Sequence, residues 1–202
     1  MPSHSDPPFE PTERDAPPGT SLSIRGEYES HGVEAYYRRF GGRYRNPHEP
    51  AVARSLREAV RRWPLDLSEG VLDLAAGSGE ATLVLRSLGA GAIDGVDPFT
   101  HEAYAARTGQ TCEQFGFEEV AAGALAGRSY GLIVCSFALH LCEPSRLPGV
   151  AAALSLLAPS LLVLTPHKRP VLRAEWGWEL AGEMVIERVR TRWYRSQHVA
   201  PM

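Results

Sequence analysis

The stretch Val71-Leu-Asp-Leu-Ala-Ala-Gly-Ser-Gly-Glu-Ala-Thr82 constrains the fold more than any other part of the chain. Val71, Leu72 and Leu74 form a short apolar run that reads as a buried strand. Gly77 and Gly79 then break it into a tight turn that lets a ligand come close to the backbone, and Glu80 to Leu88 follows with helical spacing. Strand, glycine turn and helix in this order make a nucleotide-type unit.

The rest of the chain repeats that rhythm. Short apolar runs at 70–75, 92–97, near 111–117, 130–136 and 160–165 alternate with helical stretches at 79–89, 100–108, about 118–125 and 144–157. Such alternation is the signature of βαβ units around a parallel sheet. A further pair of strands is expected between 177 and 195. The predicted fold is α/β: a doubly wound, mostly parallel Rossmann-like sheet of six or seven strands. Glu187 to Arg195 alternates basic and apolar residues as a strand with one wet face does, and is expected at the sheet edge.

Ahead of the sheet, residues 1–25 carry six prolines among Ser, Asp and Glu, and read as a disordered tail. Val33, Tyr36, Tyr37 and Phe40 recur at helical spacing before Gly41-Gly42, which predicts a short helix over 27–40. A second helix follows with Val52, Leu56, Ala59, Val60 and Trp63 on its apolar face, capped by Asn46 or His48 and ended by Pro64. The expected organisation is a tail at 1–25, an N-terminal helical cover over the cleft at 26–66, and a Rossmann-like domain at 67–202.

With 202 residues and 44% apolar content, the chain suits one sizeable core, and a formal net charge of −3 exerts no global pull toward nucleic acid or anionic membranes. Three cysteines without a CxxC pair argue against a disulfide framework. There is no apolar run of membrane-spanning length and no secretory pattern, so the expectation is a cytoplasmic protein, monomer or homodimer, with no membrane partner.

Asp73 lies inside a strand, where an unpaired carboxylate would be costly, so it needs turn amides or a ligand ammonium. Asp97 ends the next strand, where open α/β sheets hold an acid against ribose hydroxyls. A dinucleotide site would want a third glycine where Thr82 stands. The departure argues against NAD or FAD and favours an adenosyl ligand without phosphates.

Asp73-Leu-Ala-Ala-Gly-Ser-Gly79, Gly95-Val-Asp97 and Ser129-Tyr-Gly-Leu-Ile-Val-Cys-Ser-Phe-Ala-Leu-His-Leu141 together resemble the class I S-adenosylmethionine-dependent methyltransferases, over roughly residues 66–165. The resemblance implies S-adenosylmethionine as cofactor. It implies that Asp73, Ala75, Gly77 and Gly79 approach the methionine part and the adenosine, and that Asp97 takes the ribose hydroxyls. Phe117 and Glu118 would hold the adenine, with Pro98 and Phe99 packing beside it. Ala75 departs from the glycine commonest at its position, although a small residue still permits close approach.

The segment from Ser136 to Leu141 is where such enzymes face the methyl group and acceptor. His140 is the candidate general base, since an imidazole titrates near neutrality, with packing in the loop as the plainer alternative. His48, His167 and Lys168, with Arg169, would meet an anionic or polar substrate if their loops border the cleft, and no metal site is expected. The absence of an Asn-Pro-Pro-Tyr segment shifts weight toward a small-molecule acceptor. The alternatives are an RNA or protein acceptor, met by the Arg-rich helices around Arg38 to Arg62, or a non-catalytic cofactor-binding partner subunit.

Overall fold

The computed structural model describes residues 41–200, so the expected tail and the helix at 27–40 lie outside the described residues. The first long element is α1 (Glu49–Arg62), with Pro50 in its first turn, where a missing N–H leaves no helical bond unmade. His48 occupies the N-cap position without a side-chain cap, while Asn46 Oδ1 accepts the His48 N–H at 2.9 Å. Trp63 is extended ahead of Pro64 and closes the helix.

Then come β1 (Val71–Leu74), α2 (Glu80–Ser87), β2 (Ile93–Val96), α3 (His101–Thr108), β3 (Cys112–Glu113), α4 (Phe117–Ala121) and β4 (Leu132–Ser136). After them follow α5 (Leu147–Ser155), β5 (Ser160–Thr165), β6 (Trp178–Ile186) and β7 (Val189–Ser196). The sheet has seven strands in the order β3-β2-β1-β4-β5-β7-β6. β1 to β5 are parallel, and β7 and β6 close it antiparallel. The doubly wound, mostly parallel sheet expected from the alternation is therefore present.

Strand parity divides the core into two layers. Leu72, Leu74, Ile133, Cys135, Leu161 and Val163 pack on one face with Val150, Ala151 and Leu154 of α5. Val71, Leu132, Val134, Leu162 and Leu164 pack on the other with Val52, Leu56 and Ala59 of α1 and with Val84 and Leu85 of α2. Successive side chains of a strand point to opposite faces, so fully buried stretches need apolar residues at successive positions, as Leu132 to Cys135 of β4 and Leu161 to Leu164 of β5 provide. Asp73 shares the parity of Val71.

The C-terminal hairpin corrects one expectation. The strand rich in arginine, β7, is not an edge: it lies between β5 and β6, and β6 takes the outer position. Its Arg192 is only 4% exposed, and its guanidinium donates to Glu183 Oε2 (2.7 Å) and to the carbonyls of Pro170 (2.8 Å) and Lys168 (2.7 Å). A buried, fully bonded arginine thus imitates the wet face of an edge strand in the sequence pattern.

The hairpin also anchors α1. Trp63 stacks on Trp193 at 5.9 Å between ring centroids, and the strand irregularity between Leu180 and Gly182 seats the Trp63 ring where a Cβ on Gly182 would lie 2.8 Å from it. Arg54 of α1 pairs with Glu187 in the hairpin turn. Among the described residues no helix is long and apolar enough to cross a membrane.

Candidate functional site

A cavity of about 570 Å³ opens at the carboxyl ends of β1, β2 and β4, within the size range of small-ligand sites. Its walls include Ala75, Ala76 and Gly77 from the glycine turn, Asp97, Pro98 and Phe99 after β2, and Phe115, Phe117, Glu118 and Glu119 around the start of α4. Ser136, Phe137, Ala138, Leu141, Cys142, Glu143 and Arg146 line it after β4, and Tyr44, Asn46 and Glu80 complete it. Eight of the ten residues expected at the cofactor therefore share one cavity: Ala75, Gly77, Asp97, Pro98, Phe99, Phe117, Glu118 and Ser136.

Asp97 is held among these walls by three backbone amides. Its Oδ1 accepts the amides of Phe99 and Thr100, each at 2.9 Å, and its Oδ2 accepts the Gly77 amide at 3.1 Å. Three N–H donors orient the carboxylate, and a carboxylate has about four acceptor positions, which leaves capacity for a ligand hydroxyl. The Thr100 hydroxyl donates to the Gly77 carbonyl (2.7 Å), so strand end and glycine turn are tied in both directions.

Asp73 and Gly79 are not among the walls. Asp73 is 1% exposed and its Oδ2 accepts both the Thr82 amide (3.1 Å) and the Thr82 hydroxyl (2.7 Å). Its parity points it at α2, where the carboxylate steadies the first turn of that helix, outside the cavity walls. Thr82 Oγ1 also lies 3.0 Å from the Tyr104 hydroxyl of α3. Gly79 adopts φ 84, and a Cβ there would stand 2.3 Å from Thr108 Cγ2, so this glycine is required for packing against α3.

Burial pushes the Asp73 carboxyl up to about 7, with the Thr82 hydroxyl opposing and the charge of Glu80 adding to the rise. A folded-state value above the unfolded one means the group favours folding fully below about pH 4 and loses that contribution as pH rises through about 7. Asp73→Asn should therefore gain stability relative to the parent as pH climbs through this window, by up to roughly 4 kcal/mol at about 1.4 kcal/mol per pH unit. Denaturant unfolding of both proteins at pH 5 and pH 8 checks this, and a constant difference would contradict it.

Ala75 has φ 54, a left-handed conformation that costs an L-residue about 1–2 kcal/mol. Glycine would remove that strain at an entropic cost of about 0.5–1 kcal/mol. Ala75→Gly is expected to stabilise the fold by up to about 1 kcal/mol in thermal unfolding, and a clear loss would refute the assignment of strain.

Phe137, also in the cavity walls, has a positive φ, 57, and its amide donates to the Leu164 carbonyl at 2.8 Å. His48 backs this wall, its ring stacked on Phe137 at 5.1 Å. His140 lies beside the cavity but not in its walls, 4.5 Å from the exposed His167 between ring centroids. Burial, and then the neighbouring His167, lower its pKa to about 4, and its Nδ1 is buried with no hydrogen-bond partner among the described residues. Lys168 is exposed and bonds Arg192 through its carbonyl. None of His48, His140, His167 and Lys168 lines the cavity. The Cys142 thiol, pushed up to about 11 by burial, stays protonated and is a poor nucleophile.

Glu118 and Glu119 separate in role. Glu119 Oε2 accepts the Gly116 amide at 2.9 Å and caps α4, whereas Glu118 pairs with Arg146 at 2.6 Å.

The sequence reading missed Glu80. It is 3% exposed; its Oε1 accepts the Asn46 amide (3.0 Å) and the Ser78 hydroxyl (2.5 Å), and its Oε2 accepts the Ser78 amide (3.1 Å). Arg107 of α3 stands 3.4 Å from Glu80 and also pairs with Glu49 at the start of α1. One buried carboxylate thus joins the segment before α1, the glycine turn and α3. An acid at a helix start reads as dipole compensation, and only the 34-residue separation from Asn46 reveals its other work.

No family model matches the chain. An uncharacterized protein of Schizosaccharomyces pombe is 35% identical over 231 residues, covering 88% of this chain and 93% of that protein. Magnesium protoporphyrin IX methyltransferase ChlM of Synechocystis PCC 6803, solved with bound SAM, superposes with a TM-score of 0.54 at 18% identity, covering 88% of this chain and 99% of that one. The putative methyltransferase complexed with the Trm112 activator of Haloferax volcanii gives 0.57 at 15% identity, covering 75% and 92%. Mitomycin 7-O-methyltransferase MmcR gives 0.58 at 14%, covering 88% and 61%. The chain belongs to the family of the S. pombe protein, and its fold is that of the class I S-adenosylmethionine-dependent methyltransferases.

Proposed function

We propose that this protein transfers a methyl group from S-adenosylmethionine to a small-molecule acceptor. The observation that carries the reading is the single cavity in which the Ala75–Gly77 turn, the oriented Asp97 carboxylate and the aromatic pair Phe115 and Phe117 meet. These residues fit the cofactor: an acceptor for ribose hydroxyls, exposed turn backbone for the methionine part, and apolar faces with Pro98 and Phe99 for the adenine ring. When bound, the cofactor supplies an electrophilic methyl on a sulfonium.

The protein's share of such a reaction is placement in a water-poor cleft, worth several kcal/mol when nucleophile and methyl are aligned. Tyr44, Asn46 and Phe137 also wall the cavity, with the His48 ring stacked on Phe137. That Tyr44 and Asn46 precede α1 supports an N-terminal segment that covers the cleft. His140, neutral at physiological pH, would reach a proton only through a change in the loop that holds it, so in-line placement takes precedence over base catalysis here. Two arginines of the Arg-rich α1 are paired, Arg54 with Glu187 and Arg61 with Glu58, which weakens the case for a polyanionic acceptor.

Incubation of the full chain with methyl-labelled S-adenosylmethionine and a metabolite extract tests the reading. Label in a low-molecular-mass product, with stoichiometric S-adenosylhomocysteine, is expected. Label confined to protein or RNA would refute the small-molecule acceptor, and no S-adenosylhomocysteine above background would refute transfer.

A further inference from the structure

Among the described residues, every carboxylate in the cavity walls already has partners. Glu80 has Arg107 at 3.4 Å, Glu118 and Glu143 have Arg146 at 2.6 and 3.1 Å, and Glu119 accepts the Gly116 amide. Asp97 accepts three amides on the side read as the ribose site. A positive charge in this cavity calls for another kind of group, and the walls offer aromatic rings. Phe99, Phe115 and Phe117 lie after β2 and β3, on the side read as the adenine pocket, and Tyr44 packs over Gly77. Phe137 follows β4, the strand next to β1 on the side away from β2. Leu74 pairs with Cys135, so the glycine turn and the Ser136-Phe137 segment leave neighbouring strands side by side.

The Phe137 ring is held in place against a backbone preference. Its φ of 57 is a left-handed conformation that bulky side chains rarely adopt, and such strain persists where the surroundings over-determine it. Here the Phe137 amide donates to the Leu164 carbonyl at 2.8 Å. The His48 ring lies nearly parallel to that of Phe137, at 20° and 5.1 Å between centroids, and stays outside the walls. His48 is exposed, yet its amide donates to Asn46 Oδ1 (2.9 Å) and the Asn46 amide donates to the buried Glu80 (3.0 Å).

We propose that the face of Phe137 not covered by His48 meets the sulfonium of the cofactor, and that His48 is a positioning residue acting through that ring; the inference rests on the methyl-transfer reading above. An aromatic face carries partial negative charge and attracts a cation within about 6 Å of its centroid, more strongly where water is excluded. The attraction acts on the charged sulfur of S-adenosylmethionine and not on the uncharged thioether left after transfer. Phe137 therefore favours fresh cofactor over spent product. This is a contribution to binding and orientation, since the charge leaves the sulfur as the methyl is transferred.

The test is calorimetric titration of the full chain with S-adenosylmethionine, S-adenosylhomocysteine and sinefungin, an analogue with a carbon-borne ammonium in place of the methylated sulfur. Phe137→Leu is expected to weaken the two cationic ligands by about three- to thirtyfold and S-adenosylhomocysteine by no more than about twofold. Phe137→Tyr, which keeps the ring face, should bind all three like the parent. His48→Ala should shift the ratio in the same direction by a smaller factor, and His48→Phe should restore it. S-adenosylhomocysteine is the internal control, because a variant that merely disturbs the site loses all three ligands in proportion. Proportional loss, unchanged binding of the cationic pair in Phe137→Leu, or a loss confined to S-adenosylmethionine overturns the inference and leaves the cofactor reading standing. An unchanged ratio in His48→Ala overturns the role given to His48. Failure of S-adenosylhomocysteine to bind the parent chain overturns both readings.

Discussion

Replacing Asp97 by alanine is expected to reduce the affinity for S-adenosylmethionine by at least about 100-fold, to the limit of detection in most assays. Loss of a hydrogen bond to a charged group is worth about 1.5–3 kcal/mol, and a ribose offers two hydroxyls to one carboxylate. The same change removes the acceptor of the Gly77, Phe99 and Thr100 amides, so the glycine turn and the start of α3 lose their common tether. A destabilisation of about 3 kcal/mol should accompany it, since orphaned buried donors cost about 1–3 kcal/mol each and water reaches some of them. Asp97→Asn separates the two effects. Its carbonyl oxygen can still serve Phe99 and Thr100, while an NH₂ group facing the Gly77 amide can accept nothing. The expected result is a melting temperature within a few degrees of the parent and an affinity at least tenfold weaker. If Asp97→Ala binds the ligand like the parent, the site assignment is wrong.

Glu80→Ala should be the most damaging single change to the fold around the site. It strands the Asn46 amide, both donors of Ser78 and part of the charge of Arg107 in a region where Glu80 is 3% exposed. Removing one partner of a buried ion pair costs about 3–5 kcal/mol. For a chain of this size, that corresponds to a fall of roughly 10 °C or more in melting temperature. Glu80→Gln retains an oxygen for Asn46 or Ser78, and Arg107 retains Glu49, so about 1–2 kcal/mol is expected instead. Thermal unfolding of both variants checks the order. Equal, small effects would show that the network is incidental.

Much of the framework was legible because it depends on local pattern. Apolar runs separated by helical spacing located the parallel strands, and the glycine turn located the end of β1 with the acid of β2 beside it. Parity could have carried the reading further. Asp73 lies two residues after Val71, so it had to face α2, and Thr82 was its natural partner on the first turn of that helix. The missing third glycine is thus a threonine with work of its own, bridging Asp73 and Tyr104.

What stayed hidden is non-local. Nothing in the spacing of Asn46, Glu80 and Arg107 announces that they converge. Nor does the alternation of Arg190, Arg192 and Tyr194 distinguish an outer strand from an inner one whose arginine is buried against Glu183 and two carbonyls. The histidines misled for a related reason. His48, His140 and His167 do lie near the carboxyl ends of the strands, but His48 stacks on Phe137 and the rings of His140 and His167 meet at a tilt, all outside the cavity walls. Residue type identified candidates for chemistry, and only the three-dimensional path of the loops after β4 and β5 decided which of them line the cavity.

The central claim is that the cavity beside the glycine turn holds an adenosyl sulfonium ligand. Parallel calorimetric titrations of the full chain with S-adenosylmethionine and with NAD test it most directly. One-site binding of S-adenosylmethionine, lost in Asp97→Ala, with no heat from NAD, is the result predicted; silence with S-adenosylmethionine, or binding of NAD in its place, would contradict it.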